Sequence, residues 1–326
     1  MRELERCPGC EADGQEIFAR SISRPAAVPR DDWSIQVAHM HRHVIHRDEQ
    51  ELRAVFCPRC GLVYLSPTFD DAELGRLYSH EAWLAMRSEL EELAQGESVS
   101  LSETEARGRA FRPRFVRSRV ERHVRVPISS LVDYGGGDGL YLRDLEAPGR
   151  RRFVYDMVLP EQLEPGIEGL GNEKELVAQA PFDLVLTMNT MEHVTFPGQV
   201  IELFRRITKP GGHVYVEVPY EFSGLVYTRK VTLNYHINFF SKLSLENLFR
   251  LHGFRAVSIE IAFLPVDQYE FYSLVGVFRR EEAPLPLREP GFAWKVEIAE
   301  AGWRRVRERL HRRFGWAKIP WAEAVI

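Results

Sequence analysis

The segment Asp133-Tyr134-Gly135-Gly136-Gly137-Asp138-Gly139 follows the apolar pair Leu131-Val132 and leads into Leu140 to Leu145. A strand that ends in a glycine-rich turn and continues as a helix brings backbone N–H groups and a helix N-terminus close to a ligand. Side chains at Gly135, Gly136, Gly137 or Gly139 would block that approach. The dinucleotide fingerprint G-x-G-x-x-G started at Gly135 needs a small residue at position 140, where this chain has Leu140. The spacing is Asp-x-Gly-x-Gly-x-Gly instead. A further carboxylate, Asp156, closes the next apolar run at Phe153 to Asp156.

A second kind of chemistry is written in the cysteines. All four fall in two C-x-x-C pairs, Cys7-Pro8-Gly9-Cys10 and Cys57-Pro58-Arg59-Cys60, separated by 46 residues. Two such knuckles can fold together around a tetrahedral Zn²⁺. Four thiolates leave no open position, so this metal is expected to contribute folding energy and no chemistry, with disulfides or free thiols as the alternatives. Chelation is expected to unfold the N-terminal part and spare the remainder. His39, His41 and His43 alternate, with His46 nearby; on a strand they would line one face, and an exposed hairpin face is the expectation for them.

These groups need elements to position them. The chain has 326 residues, 44% hydrophobic and 28% charged, which suits a soluble globular protein of about two domains. Lysine and arginine number 43 against 47 acidic residues, a formal charge of −4, so bulk attraction to nucleic acid is disfavoured. The N-terminus lacks an apolar signal core, and no run approaches the ~20 apolar residues of a membrane helix. With paired cysteines suited to a reducing compartment, a cytoplasmic location and no membrane partner are expected.

Residues 1–69 read as a small metal-stabilised domain with short β-like runs at Val37 to Ile45 and Leu52 to Phe56. Residues 70–127 read as a helical connector that passes a polar stretch at Gly96 to Ser102 and carries the Arg-rich segment Arg107 to Arg125. From 128 to 281, apolar runs of four to six residues alternate with helix-like segments, the pattern of a parallel sheet with crossover helices. Strands are expected at Leu131 to Tyr134, Phe153 to Asp156, Phe182 to Met188, His213 to Val218, Phe254 to Leu264 and Tyr272 to Arg279. Ser244 is expected to cap a helix that Gly253 ends. Residues 282–326 form a tail with an amphipathic basic helix around Trp294 to Phe314.

The Asp-x-Gly-x-Gly-x-Gly turn resembles motif I of class I S-adenosylmethionine-dependent methyltransferases. Pro181-Phe182-Asp183-Leu184-Val185 through Met191-Glu192-His193-Val194, Lys209-Pro210-Gly211-Gly212-His213 and His236-Ile237-Asn238-Phe239-Phe240-Ser241 extend the resemblance in the right order over about Leu131 to Arg280. It implies an α/β, Rossmann-like seven-stranded core behind a small zinc-ribbon-like domain, with S-adenosylmethionine as cofactor. Asp133 would then orient the cofactor's amino end and Asp156 the ribose hydroxyls, while Asn189 and Met191 would border the reacting methyl. Leu170-Gly171-Asn172 is the candidate adenine contact, and Glu192 and His193 are expected to fix their turn.

A cysteine-rich N-terminus ahead of such a core narrows the likeness to bacterial methyltransferases of nucleotide-linked deoxysugars. In their C-methylating members a Tyr-x-Glu-His run supplies the base; the matching run here is Leu233-Asn234-Tyr235-His236, which keeps the histidine alone. The resemblance makes His236 the preferred catalytic base, with a backbone-bonding histidine as the alternative, and Tyr78, Tyr220 and Tyr235 candidate substrate donors. The expected partner is a small hydroxylated acceptor such as a nucleotide-linked sugar. A zinc-ribbon RNA methyltransferase, supported by the Arg-rich segment alone, and a non-catalytic binding protein are the alternatives; a solvated helix face is the simpler account of those arginines.

Overall fold

The computed structural model describes residues 1–24, 37–79, 84–85, 88, 101–222, 225, 235–266, 269–290, 297 and 299. The expected helix at Trp294 to Phe314 and most of the stretch from Gly96 to Ser102 lie outside the described residues, as do Leu233 and Asn234.

The larger sheet has seven strands: β4 (Ser130–Tyr134), β5 (Arg151–Tyr155), β6 (Glu168–Leu170), β7 (Phe182–Met188), β8 (Thr208–Pro219), β10 (Phe254–Val266) and β11 (Tyr269–Arg280). Their order is β10-β11-β8-β7-β4-β5-β6. Strands β4 to β8 run parallel, and the β10–β11 hairpin is antiparallel, with β11 inserted beside β8. This is the α/β, Rossmann-like seven-stranded core that the resemblance implied, and its parallel part is the sheet that the alternating apolar runs predicted. The parallel strands are apolar on both faces because helices cover both. Leu131, Val132, Leu184, Val185, Leu186, Val214 and Val216 are all fully buried.

The chain leaves β4 toward β5 and β6 on one side and returns to β7 and β8 on the other. The order therefore reverses between β4 and β7, and the crevice beyond their carboxyl ends is where open α/β sheets bind ligands.

A smaller antiparallel sheet is formed by β1 (Gln15–Ser23), β2 (Glu49–Phe56) and β3 (Val63–Ser66), completed by β9 (Asn238–Phe239) from far along the chain. Val63 pairs with Phe239 and Tyr64 with Asn238. The segment expected as a strand from Val37 to Ile45 is helical instead, with a turn at Met40–Ile45. Helical spacing turns Met40, Val44 and Ile45 into the core along with His39 and His41, which are 1% and 2% exposed. The histidine row is therefore not an exposed hairpin face, and the His39 and His43 rings pack at 4.7 Å, as residues one helical turn apart do.

Helices α1 (Asp71–Leu77) and α2 (Leu101–His123) connect the sheets, and α3 (Glu173–Gln179), α4 (Pro197–Ile207) and α5 (Lys242–Leu251) flank the larger one. The cap of α5 is Ser241, not Ser244: each hydroxyl accepts the other's backbone N–H in a reciprocal box. Gly253 does end that helix, at φ +76°. Helix α2 shows the solvated face expected of its arginines at Arg114, Arg117 and Arg122 but buries two others. Arg112 and Arg119 are 2% and 0% exposed, ion-paired with Glu217 and Glu260 respectively. Burial costs a guanidinium several kcal/mol, which a carboxylate at contact distance offsets. The basic stripe that would have favoured RNA is thereby reduced.

Candidate active site

Residues Gly135 to Gly139 turn sharply out of β4 and lead into a short 3₁₀ helix, Leu140–Leu145. Gly135, Gly137 and Gly139 all have positive φ, at +74°, +54° and +81°. A Cβ on Gly135 would lie 2.5 Å from Thr190 Oγ1, and one on Gly136 2.5 Å from Asp133 Cγ. One on Gly137 would enter open space. The first two glycines thus serve the packing of the turn, while Gly137 keeps the adjoining cleft clear. That cleft, about 350 Å³, is lined by Gly135, Gly136, Gly137, Asp138, Leu140 and Tyr141 on one side and by Met188 and Asn189 at the end of β7. Arg109 closes one end, bridging Asp138 and Glu164 at 2.8 Å each.

Two carboxylates flank the turn. Asp156, just past β5, accepts the Gly137 N–H at 3.0 Å and the Val158 N–H at 3.1 Å, which ties the first two loops together. Asp133 is 1% exposed, and its Oδ2 has no hydrogen-bond partner. Burial, then the carboxylates of Asp156 and Glu217, push its pKa up to about 8, with Arg112 pulling the other way. Behind it, Arg112 pairs with Glu217 at 2.6 Å and lies over the Tyr141 ring at 4.9 Å. Tyr215 donates to the same Glu217.

Asn189 sits at the tip of β7 with φ +51°, a left-handed conformation that asparagine tolerates better than most residues, and its Oδ1 is buried without a partner. Met191 is instead fully buried in the core and does not line the cleft. Asn172 caps α3 by accepting the Glu175 N–H at 3.0 Å. Leu170 is buried and Gly171 donates to Glu175, so none of the three lines the cleft.

A polar cluster begins three residues beyond Asn189 in the chain. Ligating atoms of Glu192, His193 and His236 all lie within 4.8 Å of one another, and the two imidazoles meet edge to face at 4.9 Å. The backbone locks this arrangement. The Glu192 carbonyl accepts N–H groups from Ile237 at 2.8 Å and Asn238 at 3.0 Å, and Asn238 Nδ2 donates to the carbonyls of Val194 at 2.7 Å and Met191 at 3.2 Å. Glu192 is 2% exposed, and neither carboxylate oxygen has a hydrogen-bond partner.

His236 Nδ1 is 2.6 Å from Glu221 Oε2. Burial disfavours its imidazolium, but Glu221 outweighs that and raises its pKa. The Tyr235 ring lies 6.3 Å from that of His193. Tyr78 follows α1 with part of its ring exposed, and its phenol is raised by burial, then by Glu192, Asp156 and Tyr235, groups that face it. Tyr220 is placed differently: it is buried, and its hydroxyl donates to Glu297 at 3.0 Å. It belongs to the core and is no part of this cluster. Glu221, Arg112 and Glu217 carry no signal in the sequence, because their partners are 15 or more residues away.

The four cysteines converge at a separate point. Both knuckles make the same turn: Glu11 N–H donates to the Cys7 carbonyl at 2.9 Å and Gly61 N–H to the Cys57 carbonyl at 2.8 Å. Cys7 and Cys60 Sγ are 3.7 Å apart, Cys10 and Cys57 Sγ 3.4 Å, and all four side chains are buried. A tetrahedron with Zn–S of about 2.3 Å has S···S edges of about 3.8 Å. The four sulfurs therefore suit a closed Zn²⁺ site.

Comparison with known proteins bears on the region of the larger sheet. Residues 102–259 match a family model described as a methyltransferase domain. The ubiquinone biosynthesis O-methyltransferase of Azotobacter vinelandii is 31% identical over 108 residues, covering 29% of this chain and 47% of that protein. Its counterpart from Xylella fastidiosa strain 9a5c is 32% identical over 107 residues, covering 28% and 43%. The chain thus spans about half the length of the curated relatives it matches. Among solved structures, magnesium protoporphyrin IX methyltransferase from Synechocystis PCC 6803 with bound SAH aligns over 64% of this chain and 98% of that one, at 13% identity and a TM-score of 0.44. Among the described residues, no helix is long and apolar enough to cross a membrane.

Proposed function

We propose that this chain transfers a methyl group from S-adenosylmethionine to a hydroxyl of a small metabolite, with nucleotide-linked sugars of polysaccharide or natural-product biosynthesis as the leading acceptor class. One observation carries the reading: the glycine-lined cleft lies at the strand-order reversal and ends at Asn189, three residues before Glu192, which groups with His193 and His236 in a polar cluster. In this reading the cleft takes the donor and the cluster serves the acceptor. The residues fit the cofactor, since Gly137 keeps the cleft clear and Asp133 and Asn189 leave buried oxygens without partners beside it.

When bound, S-adenosylmethionine supplies a methyl carbon made electrophilic by its sulfonium. The chain's own task is to hold the acceptor oxygen at roughly 3–3.5 Å in line with that bond and to provide for loss of the hydroxyl proton. Loss of that proton depends on His236. Glu221 holds its Nδ1 at 2.6 Å and so orients the imidazole. In this reading Tyr78 and Tyr235 donate hydrogen bonds to the acceptor's other oxygens. The Cys₄ site binds Zn²⁺ and stabilises the fold without entering the chemistry.

The first test is mass spectrometry of nucleotide-linked sugars and of structured RNA incubated with protein and S-adenosylmethionine. A one-methyl increment on a sugar is expected; an increment on RNA alone would overturn the acceptor class. His236→Ala is expected to lower kcat by about 10²–10⁴, the usual worth of assisted proton removal, with calorimetric cofactor affinity unchanged.

Asp133 adds a pH signature. Its carboxyl holds a proton in the fold up to about pH 8, whereas in the unfolded chain it ionises near 3.8. The ligand-free fold therefore loses stability from this group as pH rises across that window, and the loss levels off above it. The cationic amino end of the cofactor favours the ionised form, so cofactor binding is expected to release a proton below about pH 8 and to tighten as pH rises toward 8. Calorimetry in buffers of different ionisation heat measures this, and Asp133→Asn should abolish the proton release. Equal heats in all buffers for the wild type would show that Asp133 does not face the cofactor.

A further inference from the structure

We propose that Glu192, His193 and His236 form a second metal site, for a divalent transition cation of the Zn²⁺, Mn²⁺ or Co²⁺ class, distinct from the four cysteines. The three ligating atoms lie within 4.8 Å of one another, close enough to share one ion. Two histidines and one carboxylate are a common ligand set for such cations where coordination positions stay open for substrate.

Two further observations point the same way. Glu192 is 2% exposed and has no hydrogen-bond partner on either oxygen among the described residues, although burying an unpaired carboxylate is costly. His193 Nδ1 is buried without a partner as well, while His193 Nε2 lies 3.4 Å from Glu192 Oε1. A cation between Glu192 and His193 Nε2 would compensate the buried carboxylate. Glu221 on His236 Nδ1 is the carboxylate–histidine arrangement that orients a ligating imidazole and fixes its tautomer. The hydrogen bonds from Ile237 and Asn238 to the Glu192 carbonyl hold the two ligand-bearing segments in register.

The proposal rests on methyl transfer at this site and specifies how His236 acts there: as a ligand, not as a bare base. The open positions take the acceptor oxygen and acidify its hydroxyl. The O–H proton passes to solvent, the oxygen lone pair forms the new O–C bond, and the C–S electron pair leaves on sulfur. An acceptor with two adjacent oxygens, able to chelate, is favoured.

Co²⁺ titration of the metal-stripped full chain, which refolds as the first equivalent binds, tests this. Two equivalents are expected: one with thiolate charge-transfer bands from the cysteines, and one with the weaker d–d bands of nitrogen and oxygen ligation. Glu192→Gln and His193→Ala should each lose the second set and keep the first, which reports on folding within the same sample. Glu221→Gln should weaken the second site by about 10–100-fold without removing it. One equivalent in the wild type, or a second set of bands unchanged in both ligand variants, would overturn the site. The readout does not depend on turnover. Loss of the second equivalent in the variants with no methyl transfer to any acceptor keeps the metal site and sinks the proposed function; methyl transfer by a one-metal protein does the reverse.

Discussion

Removing metal from Cys7, Cys10, Cys57 and Cys60 is expected to melt the whole chain, not the N-terminal sheet alone. The sequence suggests an autonomous metal domain whose loss would spare the rest, but the packing argues otherwise. The four cysteines lie in the same buried cluster as Leu245, Leu248 and Phe249 of α5 and Phe182 and Val214 of the large sheet. The Cys60 carbonyl accepts from Asn247 at 3.3 Å, and the Pro8 carbonyl from Gly198 N–H at 3.3 Å. A Cβ on Gly198 would lie 2.4 Å from the Gly9 carbonyl oxygen, so the first knuckle touches α4 backbone to backbone. A structural zinc contributes about 10–16 kcal/mol to folding, comparable with the ~5–15 kcal/mol of a whole domain. Thermal melts followed by circular dichroism should therefore show one transition that moves down in chelator, with Cys60→Ser behaving alike. Two transitions, the later one unmoved by chelator, would show that the knuckles are independent of the core.

Gly137→Val is expected to abolish measurable cofactor binding in calorimetry while lowering stability modestly. At φ +54° a β-branched residue is strained by about 1–3 kcal/mol, a fraction of the total. The larger effect is steric, because the new side chain would stand in the cleft that the loop surrounds, where a Cβ on Gly137 would meet no protein atom within 4 Å. Its N–H would also shift from Asp156, loosening the link between the two loops. Gly135→Val would act differently, since its Cβ would collide with Thr190 and damage the turn itself. A Gly137→Val protein that binds S-adenosylmethionine with native affinity would remove this loop from the cofactor site.

Some of this is written directly in the chain. The run Leu131-Val132-Asp133 into four glycines in five positions specifies a buried strand and a tight turn by local physics alone, because positive φ and close approach leave few other residues admissible. The alternating apolar runs fix a parallel sheet for the same reason, as strands covered on both faces have no polar side to show. Two C-x-x-C knuckles bring sulfur ligands together whatever lies between them.

What depended on tertiary structure is what long-range contacts determine. Val37 to Ile45 has β-like composition, yet burying Met40, Val44 and Ile45 on one side makes it helical. Arg112 and Arg119 look like a solvated stripe until Glu217 and Glu260 arrive from distant strands to pair with them. Tyr220 and Tyr235 are indistinguishable as sequence, but one hydroxyl is held by Glu297 and the other ring stands beside His193. Glu221 reaches His236, and Glu192 meets both histidines, because Asn238 and Ile237 bind its backbone while the next strand pairs with the N-terminal sheet. The sequence determined the glycine loop, since its geometry is local. Only the fold assembled the cluster of Glu192, His193 and His236, since its groups come from segments whose proximity is set by packing, and no spacing rule encodes that.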